Sequence, residues 1–130
     1  MIPKFRAWDK KDEVIQEVTG IEWSIEYVEF MGGAVERAFE DVILMQSTDL
    51  KDKNGVEIFE GDVCNLSGGL DDYWYIVEWL FAGWQLVTYK KPDAKVSGIS
   101  DGINQCYLEP SIASNLGIVG NKYANPELLI

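Results

Sequence analysis

The stretch LKDKNGVEIFEGDV, residues 50–63, is the part of the sequence that decides the fold. Its Asn54-Gly55 pair is typical of a tight turn with positive φ, and the Asp52 side chain is suited to bond the backbone of that turn. Ile58 and Phe59 are expected to anchor in a core. Gly61 permits a sharp bend into a strand that starts at Asp62, so the stretch predicts β structure that turns a corner.

Short strands and turns extend from this stretch in both directions. Residues 4–8 and 13–18 predict a hairpin, and residues 34–47 predict a helical turn near 36–41 followed by a strand. Strict period-two alternation over residues 21–27 predicts a half-buried strand with an acidic outer face. The other expected elements are a loop at 67–72, a hairpin of 73–81 with 84–89, a polar loop at 90–102, strands at 103–108 and 116–119, a helical turn at 110–115, and a short C-terminal helix capped by Asn125.

These elements predict a mainly β fold, or an α+β fold with little helix. The expected architecture is a small curled sheet or an SH3-like, partly open barrel with short helical turns. The 130 residues are predicted to form a single domain, 1–130. A division into N-terminal strands (1–48) and a barrel-like core with the C-terminal turn (49–130) is the alternative.

The charge balance argues against two classes of partner. The chain has 22 Asp and Glu against 11 Lys and Arg, and Arg37 is the only basic residue between Asp12 and Asp49. Binding to nucleic acid or to an anionic membrane requires neutralising cations, so both are disfavoured. A basic partner stays open, although the charge is also explained by solubility alone.

No segment at the N-terminus has the apolar run of a signal peptide, and none elsewhere approaches the ~20 apolar residues of a membrane helix. The expected location is therefore the cytoplasm, with Cys64 and Cys106 reduced.

The residues that carry chemistry are sparse. The chain has no His, which removes Ser-His and Cys-His activation and the commonest general base. Two Cys alone cannot complete a zinc site. The acids Glu57, Glu60 and Asp62, with Asp52 nearby, are candidates for a cation site or an acid–base pair, but they are explained more simply as acceptors at the bend. The sequence predicts no cofactor, no metal and no enzyme.

Arg6 is the most informative candidate for a contact within the fold. Its planar guanidinium suits a two-pronged pair with a carboxylate, and we hypothesise that it pairs with Glu60 or Asp62. The competing interpretation is that Arg6 and Trp8 present a ligand-binding patch. The candidate structural or binding cluster consists of Arg6, Trp8, Asn54, Gly55, Glu60, Gly61 and Asp62.

The hairpin of residues 73–89 is rich in aromatic rings, at Tyr73, Trp74, Tyr75, Trp79, Phe81 and Trp84. Most of these rings are expected in the core, and some at a subunit interface. A stacking platform for single-stranded nucleic acid is the weakest interpretation, because residues 54–89 contain no Lys or Arg to contact phosphates.

Three stretches, IPKFRAWD (2–9), EDVILMQSTDLKDKNGVEIFEGDV (40–63) and VGNKYANPELL (119–129), occur in an order that resembles the YopX family of small bacteriophage and prophage proteins. The resemblance implies a mainly β fold with small helical additions, and a protein that acts in the cytoplasm of a bacterial host. The family has no established activity, so no catalytic residue carries over.

The expected function is that of a non-enzymatic phage accessory protein. It would bind an unknown host or phage protein, with self-association into a homo-oligomer as an alternative. Two rival functions remain open: an acidic mimic of DNA that inhibits a host nucleic-acid enzyme, and a small SH3-like nucleic-acid module.

Overall fold

The computed structural model describes residues 4–80, 82–92 and 105–130. Antiparallel strands dominate this part of the chain, which confirms the mainly β prediction. The strands are β1 (Phe5–Asp9), β2 (Val14–Glu22), β3 (Tyr27–Phe30), β4 (Val35–Ala38), β5 (Val42–Lys51), β6 (Glu57–Phe59), β7 (Asp62–Leu66), β8 (Tyr73–Leu80), β9 (Gly83–Lys90), β10 (Gln105–Tyr107) and β11 (Leu116–Asn121). The helical elements are α1 (Pro110–Ala113) and 3₁₀ turns at Met31–Gly33, Phe39–Asp41 and Pro126–Leu129. None of the described helices has the length and apolar character needed to cross a membrane.

The chain divides into two compact units, residues 1–47 and residues 48–130, and β5 runs from the first into the second. In the first unit the strand order is β4-β3-β2-β1-β5. The predicted N-terminal hairpin is present as β1 paired with β2, with Asp9 opposite Val14. The core of this unit consists of buried Ala7, Val28, Phe30 and Val42.

The strand predicted over residues 21–27 is wrong. β2 ends at Glu22, residues 23–26 form a turn, and β3 begins at Tyr27 and pairs back on β2. Two local features favour the turn: the Glu22 carboxylate accepts a hydrogen bond from the Ser24 N–H (3.2 Å), and Glu26 adopts a positive φ of 55°. The alternating apolar residues therefore do not line one face of a strand.

The helical turn predicted near residues 36–41 is shorter and later than expected. β4 takes up Val35–Ala38, and only Phe39–Asp41 forms a 3₁₀ turn. Pairing with β3, in which Phe30 lies opposite Val35, outweighs the helical spacing of the apolar residues. The strand predicted after this turn is confirmed and extends to Lys51.

In the second unit, β6 pairs with β5, and an open antiparallel sheet has the order β10-β9-β8-β7-β11. The predicted aromatic hairpin is present as β8 and β9, with Trp79 opposite Trp84. Phe81 and most of the predicted loop at 90–102 lie outside the described residues. Both sheets have edge strands in the described ranges, so neither closes into a barrel. The core contains Ile58, Cys64, Tyr75, Val77, Leu86, Leu108, Ala113 and Leu116.

The last predicted elements are present as α1, β11 and the 3₁₀ turn Pro126–Leu129. The expected cap is not: the Asn125 side chain accepts no hydrogen bond from a backbone N–H of the turn that follows it. Its Oδ1 instead accepts a hydrogen bond from the Asn121 N–H at 3.0 Å, which ties the turn back to β11.

Candidate functional site

The turn in the opening stretch is organised by the carboxylate of Asp52. Its Oδ1 accepts hydrogen bonds from the N–H groups of Asn54 and Val56, both at 2.9 Å. Gly55 has a φ of +80°, and its N–H donates to the Asp52 carbonyl at 3.0 Å. Asn54 and Gly55 lie exposed at the tip of the turn. The positive φ of Gly55 and the hydrogen bonds to Asp52 set the geometry of this turn, as predicted.

The same carboxylate also holds a distant strand. Its Oδ2 accepts a hydrogen bond from the Ile118 N–H at 3.1 Å, and the Lys53 N–H donates to the Leu116 carbonyl at 2.9 Å. Burial acts to raise the pKa of Asp52, but the three backbone donors on Ile118, Val56 and Asn54 outweigh it and hold the pKa below its ordinary value. Asp52 is therefore a buried anion that fastens this turn to β11.

The bend at Glu60, Gly61 and Asp62 uses a second buried carboxylate. Gly61 has a φ of +85°, and Oδ2 of Asp62 accepts a hydrogen bond from the Phe59 N–H at 2.9 Å. Oδ1 of Asp62 lies 3.5 Å from Nδ2 of Asn121 at the end of β11. Asp52 and Asp62 thus both form hydrogen bonds to residues of β11, which indicates a structural role rather than a reactive centre.

The predicted acidic cluster does not assemble as a cation site. Within residues 4–80, 82–92 and 105–130, no group of three or more His, Cys, Asp or Glu side chains could hold a metal ion. Glu60 is half-buried, whereas Asp52 and Asp62 are buried and bond backbone and amide N–H groups.

Arg6 and Trp8 lie on one face of β1 in the first unit, and both are half-buried. Arg6 lies between Glu17 and Met45 in the strand register. Because Glu60 and Asp62 belong to the second unit, the proposed pairing of Arg6 with either carboxylate stays a prediction.

A buried ion pair in the first unit was not anticipated from the sequence. Nε of Arg37 contacts Oδ1 of Asp9 at 3.2 Å, and its Nη2 contacts the exposed Asp12 at 3.1 Å. The Asp9 side chain is only 1% exposed, and its Oδ1 also accepts a hydrogen bond from the Lys11 N–H at 3.0 Å. The signal available in the sequence was that Arg37 is the lone cation in a long acidic stretch.

An exposed apolar cluster lies at the turn between β2 and β3. Trp23 is 62% exposed and Ile25 is 68% exposed, although both are large apolar side chains. The Trp23 ring packs edge-on against Phe39, with the ring centroids 5.5 Å apart. We call Trp23, Ile25 and Phe39 the turn patch. The sequence analysis did not predict this patch, because apolar residues at every second position are compatible with a turn as well as with a strand.

Carboxylates collect on the solvent face of β2, β3 and β4. The register places Tyr27 opposite both Glu22 and Ala38, and Glu29 opposite Glu36. These side chains therefore share the face opposite the core residues Val28 and Phe30. The pKa of Tyr27 is raised, first by burial and then by the negative charges of Glu29, Glu36 and Glu22. We call Glu22, Glu29 and Glu36 the acidic face.

The sequence predicts most rings of the aromatic hairpin in the core, but among the described rings only Tyr75 belongs to the core of the second unit, with Trp84 packed against it. Tyr75 is buried, Trp74 and Trp84 are half-buried, and Trp79 is 52% exposed with its ring edge-on to Trp84 at 5.0 Å. The indole N–H of Trp74 donates to the Leu128 carbonyl at 3.0 Å, so this ring fastens the C-terminal turn.

Two open cavities in the second unit lack the predicted site residues. One, of about 280 Å³, is lined by polar residues that include Lys53, Asn65 and Lys91. The other, of about 260 Å³, lies between Trp74 and Leu128.

The two cysteines are free and occupy different environments. Burial, followed by the charges of Asp62 and Asp52, raises the pKa of Cys64 far above the usual thiol range. Cys106 is exposed, and partial burial of its sulfur and the charge of Glu109 raise its pKa as well. Neither thiol has the lowered pKa of a reactive cysteine.

We expect the native protein to titrate with one thiol per chain when treated with a disulfide reagent, and with both thiols after unfolding in urea. The reacting thiol is Cys106, and its rate should still climb above pH ~8.5, the ordinary thiol value, because its pKa is raised. The variant Cys106→Ser is the control and should show no fast-reacting thiol. Rapid reaction of Cys64 in the folded protein would contradict its buried position.

Comparison with known proteins identifies the family. A family model described as YopX protein matches residues 4–130. The chain belongs to the YopX family. None of the curated proteins searched matches this YopX chain. It is similar over 100% of its length to protein EF1440 from Enterococcus faecalis, a crystal structure covered to 99%, with 24% sequence identity and a TM-score of 0.64. At 24% sequence identity, this similarity is evidence only about the fold of the YopX chain.

Proposed function

We propose that this YopX-family protein works by binding another protein rather than by catalysing a reaction. In this proposal it is a phage or prophage accessory protein of the bacterial cytoplasm. The observation that carries the proposal is the exposure of large apolar side chains, Trp23 and Ile25 in one unit and Trp79 in the other, on hydrogen-bonded turns and strands of an acidic chain. Exposed aromatic anchors in a polar surround are the usual centres of protein interfaces.

The test is capture from a bacterial lysate with the immobilised protein, followed by measurement of Kd with the purified partner. We expect a saturable complex that the double variant Trp23→Ser/Trp79→Ser loses and the control variant Asp71→Asn retains. Light scattering on the bait alone measures self-association in the same buffer. A bait that is monomeric and repeatedly recovers no partner would overturn the proposal.

A second candidate, a mimic of DNA, is favoured by the acidic face. Glu22, Glu29 and Glu36 lie on neighbouring strands, and no ion pair to a Lys or Arg is present at any of them in the described part of the first unit. A mimic would compete with duplex DNA for a host nucleic-acid enzyme, and its binding would fall steeply with salt. Loss of the complex on adding DNA would favour this candidate over the first.

A further inference from the structure

We infer that the polar cavity of about 280 Å³ in the second unit binds a small phosphorylated compound, with Lys53 and Lys91 as its cations. The cavity is also lined by the polar side chains of Asn65, Ser67 and Asp71. This inference goes beyond the proposed function, because a small ligand in this cavity is independent of any protein partner. Its basis is the meeting of two lysines at one cavity of a chain with a formal net charge of -11.

The two lysines come from opposite ends of a long stretch without cations. Residues 54–89 contain no Lys or Arg; Lys53 directly precedes this stretch, and Lys91 lies two residues after it. The fold brings both to the same cavity, where Asp71 supplies the one carboxylate of the lining. The lining therefore carries a net positive charge, which attracts anions to this part of an acidic chain.

Lys53 is positioned by β11. Its N–H donates to the Leu116 carbonyl at 2.9 Å, and its side chain lies over Gly117. A Cβ atom at Gly117 would be 2.9 Å from Cε of Lys53 and 2.6 Å from Oδ1 of Asn65, the residue opposite Gly117 in β7. The lack of a side chain at residue 117 thus makes room for the lysine and the amide beside each other.

Lys91 is held at both its backbone and its side chain. Its N–H donates to the Asp72 carbonyl at 2.9 Å, and its ammonium group lies 4.3 Å from the centroid of the Trp74 ring. A cation–π contact fixes the ammonium group without neutralising its charge. The Ser67 N–H donates to the Asn115 carbonyl at 2.9 Å, so this part of the lining is ordered as well. A site ordered in advance loses less freedom when a ligand binds.

The charges of the two lysines are available to a ligand. In the described part of the chain, neither Lys53 nor Lys91 forms an ion pair with a carboxylate. The carboxylate of Asp52, the residue before Lys53, instead accepts hydrogen bonds from three backbone N–H groups.

These donors suit a phosphate monoester better than a carboxylate. A planar carboxylate is best matched by the fork of an arginine, whereas lysine acts as a point charge and is a common phosphate binder. A phosphate monoester carries about 1.5 to 2 negative charges at pH 7 and three acceptor oxygens. Those oxygens can accept from two ammonium groups and from the Asn65 amide or the Ser67 hydroxyl.

The rest of the ligand is small and has no second negative charge. The Asp71 carboxylate repels a second anionic group and can accept a hydrogen bond from a hydroxyl group. The volume of about 280 Å³ is near the lower end of ligand pockets, yet a phosphoryl group alone would leave much of it to water. A compound with one phosphate and a hydroxyl-bearing body, such as a sugar phosphate, satisfies both conditions.

The experiment titrates the full chain with four probes: inorganic phosphate, glucose 6-phosphate, glucose and a phosphoserine peptide. Amide chemical shifts locate each probe and give Kd. We expect phosphate and glucose 6-phosphate to shift the resonances of Lys53, Lys91 and residues 65–71. Glucose 6-phosphate should bind about fivefold more tightly than phosphate, the effect of one hydrogen bond to its body. Glucose should not bind measurably.

Three variants and one control test the cavity. Lys53→Met and Lys91→Met should each weaken glucose 6-phosphate about fivefold, the effect of one exposed ion pair. Gly117→Ala keeps both charges but displaces the side chains of Lys53 and Asn65, and should weaken it about threefold. Lys51→Met removes an exposed lysine that does not line the cavity and should leave Kd within about twofold. Circular dichroism establishes that each variant is folded.

Absence of binding by both phosphate and glucose 6-phosphate would overturn the inference, and so would shifts confined to residues outside the cavity. Equal Kd values for Lys53→Met, Lys91→Met and the parent protein would also overturn it. If the phosphoserine peptide bound more tightly than glucose 6-phosphate, the ligand would be a phosphorylated protein and not a small compound. None of these results bears on the capture of a protein partner through the exposed aromatic side chains, so the two proposals fail separately.

Discussion

Replacing Asp52 with alanine is expected to lower the free energy of unfolding by about 3 kcal/mol, one of the two largest effects expected of a single substitution in this protein. The change removes the acceptor of three backbone N–H groups, on Asn54, Val56 and Ile118. Ile118 lies in β11, 66 residues after Asp52 in the sequence. Urea denaturation followed by circular dichroism measures the effect, and the exposed Asp71→Ala is the matched control, expected within about 0.5 kcal/mol.

The same carboxylate makes part of the stability depend on pH. Because the pKa of Asp52 is lower in the folded chain than its ordinary value of 3.8, its contribution is complete above that value and is lost as the pH falls through the lower, folded pKa. Asp52→Asn cannot titrate, so its unfolding free energy should fall less than that of the parent protein below about pH 4. Parallel pH profiles for the two proteins would show that Asp52 is not the anion described.

Replacing Arg37 with methionine should cost about 2–3 kcal/mol, because it leaves the carboxylate of Asp9 buried without its cation. Methionine has a similar length and is apolar, so the loss reports on charge more than on packing. Oδ1 of Asp9 would keep one donor, the Lys11 N–H, and its Oδ2 is buried with no hydrogen-bond partner among the described residues. Urea denaturation again supplies the measurement.

Two further variants separate the buried charge from other causes. In the Arg37→Met background, Asp9→Asn should restore about 1 kcal/mol, because a buried amide is less costly than an unpaired carboxylate. Lys11→Met removes the cation of a more exposed ion pair, Lys11 with Asp41 at 3.5 Å, and should change stability by less than about 1 kcal/mol. If Lys11→Met proved as damaging as Arg37→Met, the burial of Asp9 would not be the cause.

The sequence placed Asp52 near a candidate cation site and gave Asp9 no role, whereas the structure assigns both carboxylates to holding the fold together. The candidates that remain for recognition of a partner are large apolar side chains that are exposed although folding does not require it, above all Trp23 and Ile25. The cluster predicted from the sequence is divided between two roles. Asn54, Gly55, Gly61 and Asp62 shape the second unit, whereas the roles of Arg6, Trp8 and Glu60 stay predictions.

The sequence by itself determined the turn at Asn54-Gly55, the bend at Gly61, the hairpin of β8 with β9 and the mainly β class. Each depends on residues that are neighbours in the chain. A glycine with positive φ and an Asp52 side chain that reaches the N–H groups two and four residues later act locally, so their effect can be read without knowing the fold.

Only the tertiary structure decided where the longer-range bonds form and which alternating residues are exposed. Asp52 reaches Ile118 across 66 positions, and Arg37 reaches Asp9 across 28, and no local pattern marks either pair. The spacing of Trp23 and Ile25 is compatible with a strand and with a turn. Pairing of β3 back on β2 selects the turn, because strand partners supply the backbone hydrogen bonds that a single segment cannot make for itself.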